Sequence, residues 1–189
     1  VKDSGTTFSL LYSQANGFGS LNFHSLRRTM SDLIVGQPAP ALKLTALDGS
    51  EFDLQALKGR PVVLNFFKST CPWCQMEMPR LGKVYAHLKE QGIEVPVQGI
   101  VVGSDTAESA SRFAQTSGLD IPLVLDASKT ARADFALTRV PTIVLIDAKG
   151  SVSRVYEGAS EQLAGIVEQT VFAAARGDAP PNYEMVGNG

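Results

Sequence analysis

The passage from Pro61 to Leu88 constrains the fold most, because an apolar run gives way there to a helix pattern that opens on Cys71-Pro72-Trp73-Cys74. The run Pro61-Val62-Val63-Leu64-Asn65-Phe66-Phe67 is β-branched and aromatic. It is too short for a buried helix and apolar on both faces, as a central parallel strand is. Pro72 suits a first helical turn, where its missing N–H costs nothing, and Met78, Leu81, Val84, Tyr85 and Leu88 recur at helical spacing. Cys71 is thereby expected at the N-cap, where unpaired backbone N–H groups and the positive end of the helix dipole favour a thiolate. Cys74 follows about one turn later on the same side, within disulfide reach. The pair reads as a redox site.

The rest of the chain can be arranged around this strand and helix. Ala41 to Thr45 and Glu51 to Leu54 flank the Asp48-Gly49 turn and predict a small hairpin, followed by a helical turn at Leu54 to Lys58. Gly92 ends the active-site helix, and Val95 to Val102 is a second buried strand. A helix over Thr106 to Ser117 and a strand over Ile121 to Leu125 come next, Pro122 favouring an edge or a strand start. A short helix over Asp126 to Leu137 precedes a hairpin of Val140 to Asp147 with Ser151 to Glu157, and a helix over Ser160 to Ala175 closes the domain. The order predicts an α/β fold with a mixed central sheet and helices on both faces.

The 189 residues, 44% of them hydrophobic, suit one core. The expected organisation is a disordered or non-native extension over 1–30, a domain over 31–175 and a flexible tail over 176–189. Met30-Ser31-Asp32 reads like an ordinary start. Seventeen basic against 19 acidic residues, with no basic run, argue against nucleic acid and against an anionic membrane surface. Two cysteines only, both in the C-x-x-C, exclude a disulfide-stapled scaffold. No stretch reaches the roughly 18 apolar residues of a membrane span, and residues 1–30 lack the apolar region of a signal peptide. A soluble, monomeric, cytoplasmic protein is therefore expected, or an extracytoplasmic one if a leader has been lost.

Several motifs fall in the order of one known family. They are Gly36-Gln37-Pro38-Ala39-Pro40, Leu47-Asp48-Gly49, Leu57-Lys58-Gly59, Leu64-Asn65-Phe66, the C-x-x-C, Glu77-Met78-Pro79, Val140-Pro141-Thr142 and Ile146-Asp147 with Gly150. Over residues 35–158 the chain resembles the thioredoxin superfamily, within it the bacterial redoxins and cytochrome c maturation reductases. The resemblance implies a thioredoxin-like fold in which the segment from Thr106 to Leu125 is an inserted helix and strand. It further implies Cys71 as nucleophile, Cys74 as resolving thiol, a cis peptide before Pro141 facing the cysteines, and Glu77 as an acid on the active-site helix. Asn65 stands where thioredoxin has a buried aspartate. The family's tryptophan before the first cysteine is replaced by Thr70, and an indole appears between the cysteines as Trp73.

The reaction so implied is thiol-disulfide exchange on a protein or small-thiol disulfide, in the reducing direction, with no cofactor and with recharging by a dithiol protein or thiol pool. Substrate would contact Trp73, Val140 and Pro141. Glu77 is either the base for Cys74 or a solvated acid, Trp73 either a groove platform or a spacer, and Lys68 more simply a water-facing residue than a modulator of the thiols. Two other readings stand beside this one. A thiol peroxidase shares the inserted segment, but peroxiredoxins carry Thr three residues before the reactive cysteine, where this chain has Lys68. A non-catalytic binding or metal-delivery module would need ligands beyond the two cysteines, and His24 and His87 are not paired by spacing.

Overall fold

A computed structural model describes residues 35–181. The expected extension over 1–30 and the end of the tail, 182–189, lie outside them. The elements are β1 (Lys43–Thr45), β2 (Glu51–Asp53), a 3-10 turn (Leu54–Leu57), β3 (Val62–Phe67), α1 (Pro72–Glu90), β4 (Val97–Val101) and α2 (Ala107–Ser117). They continue with β5 (Leu123–Leu125), α3 (Thr130–Asp134), β6 (Thr142–Ile146), β7 (Val152–Glu157) and α4 (Leu163–Ala175).

The main sheet has the order β5-β4-β3-β6-β7, and β1 with β2 forms a separate hairpin. β3 runs parallel to β4 and antiparallel to β6, so every residue of β3 has neighbours on both sides and all six are buried. This is why the strand is apolar on both faces: Val63 and Phe67 pack under α1, α2 and α4, while Val62, Leu64 and Phe66 pack with Leu42, Leu54, Ala131 and Phe135 on the opposite face. Burying a side chain such as Leu81 or Met78 of α1 stabilises the fold by about 1.5–3 kcal/mol each. Gly82 lets α1 approach the end of α2 closely, since a methyl there would lie 2.8 Å from the Gly118 carbonyl oxygen.

Two helices are shorter than their sequence patterns. α3 covers only Thr130–Asp134 of the span from Asp126 to Leu137, because Lys129 and Ala136 take positive φ on either side of it. Asp126 is buried beside this helix and accepts hydrogen bonds from the Ala131 and Arg132 amides at 3.2 and 3.1 Å. α4 begins at Leu163 rather than Ser160, with no side-chain cap at Gln162. The first residues of the expected flexible tail fold back, Arg154 Nη2 donating to the Pro180 carbonyl at 2.6 Å.

The stretch around β1 touches both rims of the sheet. Gly36 donates to Val152 O at 2.7 Å and Val152 to Gln37 O at 2.8 Å, while Leu47 donates to Leu123 O at 3.0 Å beside an Ala46–Val124 bridge. Among the described residues no helix is long and apolar enough to cross a membrane.

Candidate active site

Cys71 is the N-cap residue of α1, in extended conformation, with Pro72 opening the helix. Its sulfur is partly exposed and donates to the Val140 carbonyl at 3.6 Å. Val140 precedes Pro141 through a cis peptide bond at the start of β6, and Gly158 N holds the Pro141 carbonyl at 2.8 Å. The end of β3, the start of α1 and the loop before β6 thus converge on one sulfur. Cys74 lies one turn further on the inward face of α1 and is fully buried. Both cysteines are free thiols. Burial pushes the Cys74 thiol up to about 12 from an ordinary value near 9. The Lys68 backbone N–H pulls it back, the neighbouring Cys71 raises it further, and the Lys68 charge lowers it.

Glu77 is not the solvated acid that one reading of the sequence allowed. It is fully buried one turn beyond Cys74, and neither carboxylate oxygen has a hydrogen-bond partner. Burial raises its pKa, and the Arg80 guanidinium, 3.7 Å from Oε2, and the Ser160 backbone offset this in part. Tyr85, on the same buried side of α1, is pushed upward by burial and then by the Glu77 charge. Asn65 lies beneath α1 on β3, its Nδ2 donating to Met78 Sδ at 3.4 Å and its Oδ1 unpaired. Trp73 and Met76 are 60% and 40% exposed on the outer side of the first turns, so an apolar surface flanks Cys71 while the acid lies behind Cys74.

Sequence reasoning missed the device that holds the loop before Cys71. Asp105, between β4 and α2, accepts from Ser69 N at 2.8 Å, from Ser69 Oγ and from Ser109 Oγ at 3.1 Å. Gln75 Nε2 donates to Ser69 O at 2.9 Å from the other side. Only the Thr106/Ser109 capping box was legible as a pattern, and it marks the helix start, not the contact with Ser69. Asp105→Ala is expected to lower the unfolding free energy by about 2 kcal/mol, the loss of hydrogen bonds to a charged group. Urea unfolding checks this; an unchanged midpoint would show that water replaces Asp105 at no cost. Among the described residues no group of three or more His, Cys, Asp or Glu is arranged to hold a metal ion.

The Redoxin family model matches residues 34–170 of this chain. The chain is 34% identical over 137 residues to the thiol-disulfide oxidoreductase ResA of Halalkalibacterium halodurans, covering 72% of each chain. Among solved structures it is similar to MTB DsbF in its mixed oxidized and reduced forms, with TM-score 0.62, 28% identity, and 70% of this chain and 94% of that one covered. It is also similar to a secreted Mycobacterium tuberculosis disulfide oxidoreductase homologous to E. coli DsbE, with TM-score 0.58, 28% identity, and 66% and 92% covered. The secreted relative corrects the cytoplasmic location expected from the sequence. That expectation rested on the lack of a leader-like apolar stretch, which has no bearing on where a folded domain of this kind works.

Proposed function

The chain belongs to the Redoxin family and is a thiol-disulfide oxidoreductase of thioredoxin-like fold, and on that premise we propose that it works as a reductase of protein or small-thiol disulfides. The observation that carries the reading is the contrast between the two sulfurs, one partly exposed beside the Val140 carbonyl and one fully buried behind it. Cys71, as thiolate, attacks one sulfur of the substrate disulfide and expels the other as a thiolate, leaving a mixed disulfide on Cys71. Cys74 then gives up its proton and attacks the Cys71 sulfur. The second substrate thiolate leaves and takes up a proton, and two electrons have passed from the protein dithiol to the substrate.

Glu77 serves as the acceptor for the Cys74 proton, being a buried carboxyl one helical turn away whose pKa burial raises. Trp73, Val140 and Pro141 form the rim on which the substrate chain lies. A dithiol protein or a thiol pool restores the reduced state. The domain extends from about residue 31 to 175, the span that holds every described element of the sheet.

The direction of electron flow is tested by equilibrating the protein against graded dithiol buffers and reading Trp73 fluorescence. A midpoint below about −230 mV is expected of a reductase, whereas one near −120 mV would make the protein a disulfide donor and overturn the reading.

A further inference from the structure

Between the end of β3 at Phe67 and Cys71 lie three residues, Lys68, Ser69 and Thr70, and the reaction above assigns nothing to them. Phe67 O still accepts from Val102 N at 3.0 Å, and beyond it the chain leaves the sheet. The loop's own turn bond, from Cys71 N to Lys68 O, is 3.4 Å long, outside the usual range for N–H to O. What fixes the loop therefore comes from elsewhere, and it acts at Ser69. The Ser69 N–H donates to Asp105 Oδ2 at 2.8 Å, its hydroxyl donates to Asp105 Oδ1, and its carbonyl accepts from Gln75 Nε2 at 2.9 Å. Both backbone groups of this residue are thus taken by side chains, one from the residue before the α2 N-cap and one from the first turn of α1. Asp105 is anchored in turn by Ser109 Oγ, which donates to Oδ1 at 3.1 Å from within α2. Only Thr70 separates this anchor from Cys71, whose sulfur must meet the Val140 carbonyl at 3.6 Å.

We propose that Asp105 is a positioning residue for the first attack: by gripping Ser69 from the start of α2 it sets the place of the Cys71 sulfur. The proposal rests on the reading of Cys71 as the nucleophile. A carboxylate gives a thiolate no help by charge, so what Asp105 contributes is geometry. Attack on a disulfide requires the nucleophilic sulfur in one approach to the S–S bond, and a loop released at Ser69 spends only part of its time with Cys71 in that place. The helix α2 in this way acts on the chemistry through three residues of loop, without itself meeting the substrate. Thr106, the N-cap of α2, belongs to the same helix start but not to the grip, its hydroxyl accepting from Ser109 N at 3.2 Å.

The test uses the full chain, reduced, mixed in a stopped-flow instrument with excess dithiodipyridine, a neutral disulfide. The Cys71 thiolate forms a bond to one dye sulfur, and the dye's S–S bond breaks with both electrons going to the departing sulfur, which leaves as thiopyridone after taking up a proton. The absorbance phase whose rate is proportional to dye concentration reports this step. Asp105→Ala is expected to slow that phase about tenfold, and Ser69→Ala, which loses the hydroxyl contact alone, about threefold. The double variant should be no slower than Asp105→Ala, because without the carboxylate the hydroxyl has nothing to grip. Thr106→Ala removes the cap of α2 and should lower the urea midpoint while leaving this phase within about twofold of wild type. An Asp105→Ala protein that attacks at the wild-type rate overturns the proposal. So does a Thr106→Ala protein slowed as much as Asp105→Ala, since the rate would then follow any loosening of α2, and so does a double variant slowed by the product of the two single effects. Failure of the underlying assignment looks different: Cys71→Ser would then retain the dye-dependent phase.

Discussion

Replacing Cys74 with Ser is expected to stop turnover and to leave a covalent substrate adduct on Cys71, while Cys71→Ser traps nothing. Turnover should fall about a thousandfold or more in either variant, since each removes a sulfur that must form a bond in the cycle. The asymmetry in trapping follows from access. The Cys71 sulfur is partly exposed beside the Val140 carbonyl, whereas Cys74 is sealed in the core under α1. A thiol held near 12 is almost wholly protonated at neutral pH, so Cys74 does not compete for substrate. Mass spectrometry of each variant after mixing with a model disulfide checks the order of attack. Equal adducts on both variants would refute it.

Glu77→Gln should make the protein more stable and a poorer enzyme. Glu77 has a raised pKa in the folded state, so the native protein binds more protons than the unfolded chain between the two values. The stability that this confers is fully present below the unfolded value of about 4.3 and is lost as pH rises through the raised folded value. Above that value the wild type carries a buried carboxylate offset by Arg80 at 3.7 Å and by the Ser160 backbone. Glutamine keeps the shape without the charge. Urea unfolding at pH 8 should therefore favour the variant by about 1–2 kcal/mol, and the difference should vanish near pH 4. The resolving step should meanwhile slow by about tenfold or more through loss of the proton acceptor. A variant with unchanged resolution kinetics would leave Glu77 without a part in the chemistry, and one no more stable at pH 8 would mean that solvent reaches the carboxylate.

The features legible in the sequence are those carried by short-range patterns. The apolar run of β3, the proline after Cys71 and the helical spacing of Met78, Leu81 and Leu88 placed the site and its helix. Pro122 suited an edge or a strand start, and it directly precedes β5, which lies at the end of the sheet. Glu77 was ambiguous because its i,i+3 relation to Cys74 states its side of the helix but not what packs there; α4, some ninety residues later in the sequence, helps close that side. Lys68 read as a water-facing residue for the same reason. Its side chain is half-buried against Gly103, and its loop is held by Asp105, both brought near only when β4 pairs with β3. The span after Asp126 read as one helix because residues such as Ala131 and Phe135 have helical spacing, while positive φ at Lys129 and Ala136 carries no composition signal in this chain.

The contacts of residues 36–47 with both rims of the sheet bear on self-association. Unpaired backbone groups along an edge strand are a template for another copy's strand, the first step toward aggregates. Here the short β5 is capped by Ala46 and Leu47, and the start of β7 by Gly36 and Gln37. The open remainder of β7 carries Arg154 and Glu157, charges that discourage stacking. One strap of chain thus covers part of each border of the sheet, and the exposed apolar side chains Trp73 and Met76 lie away from it, on the first turns of α1.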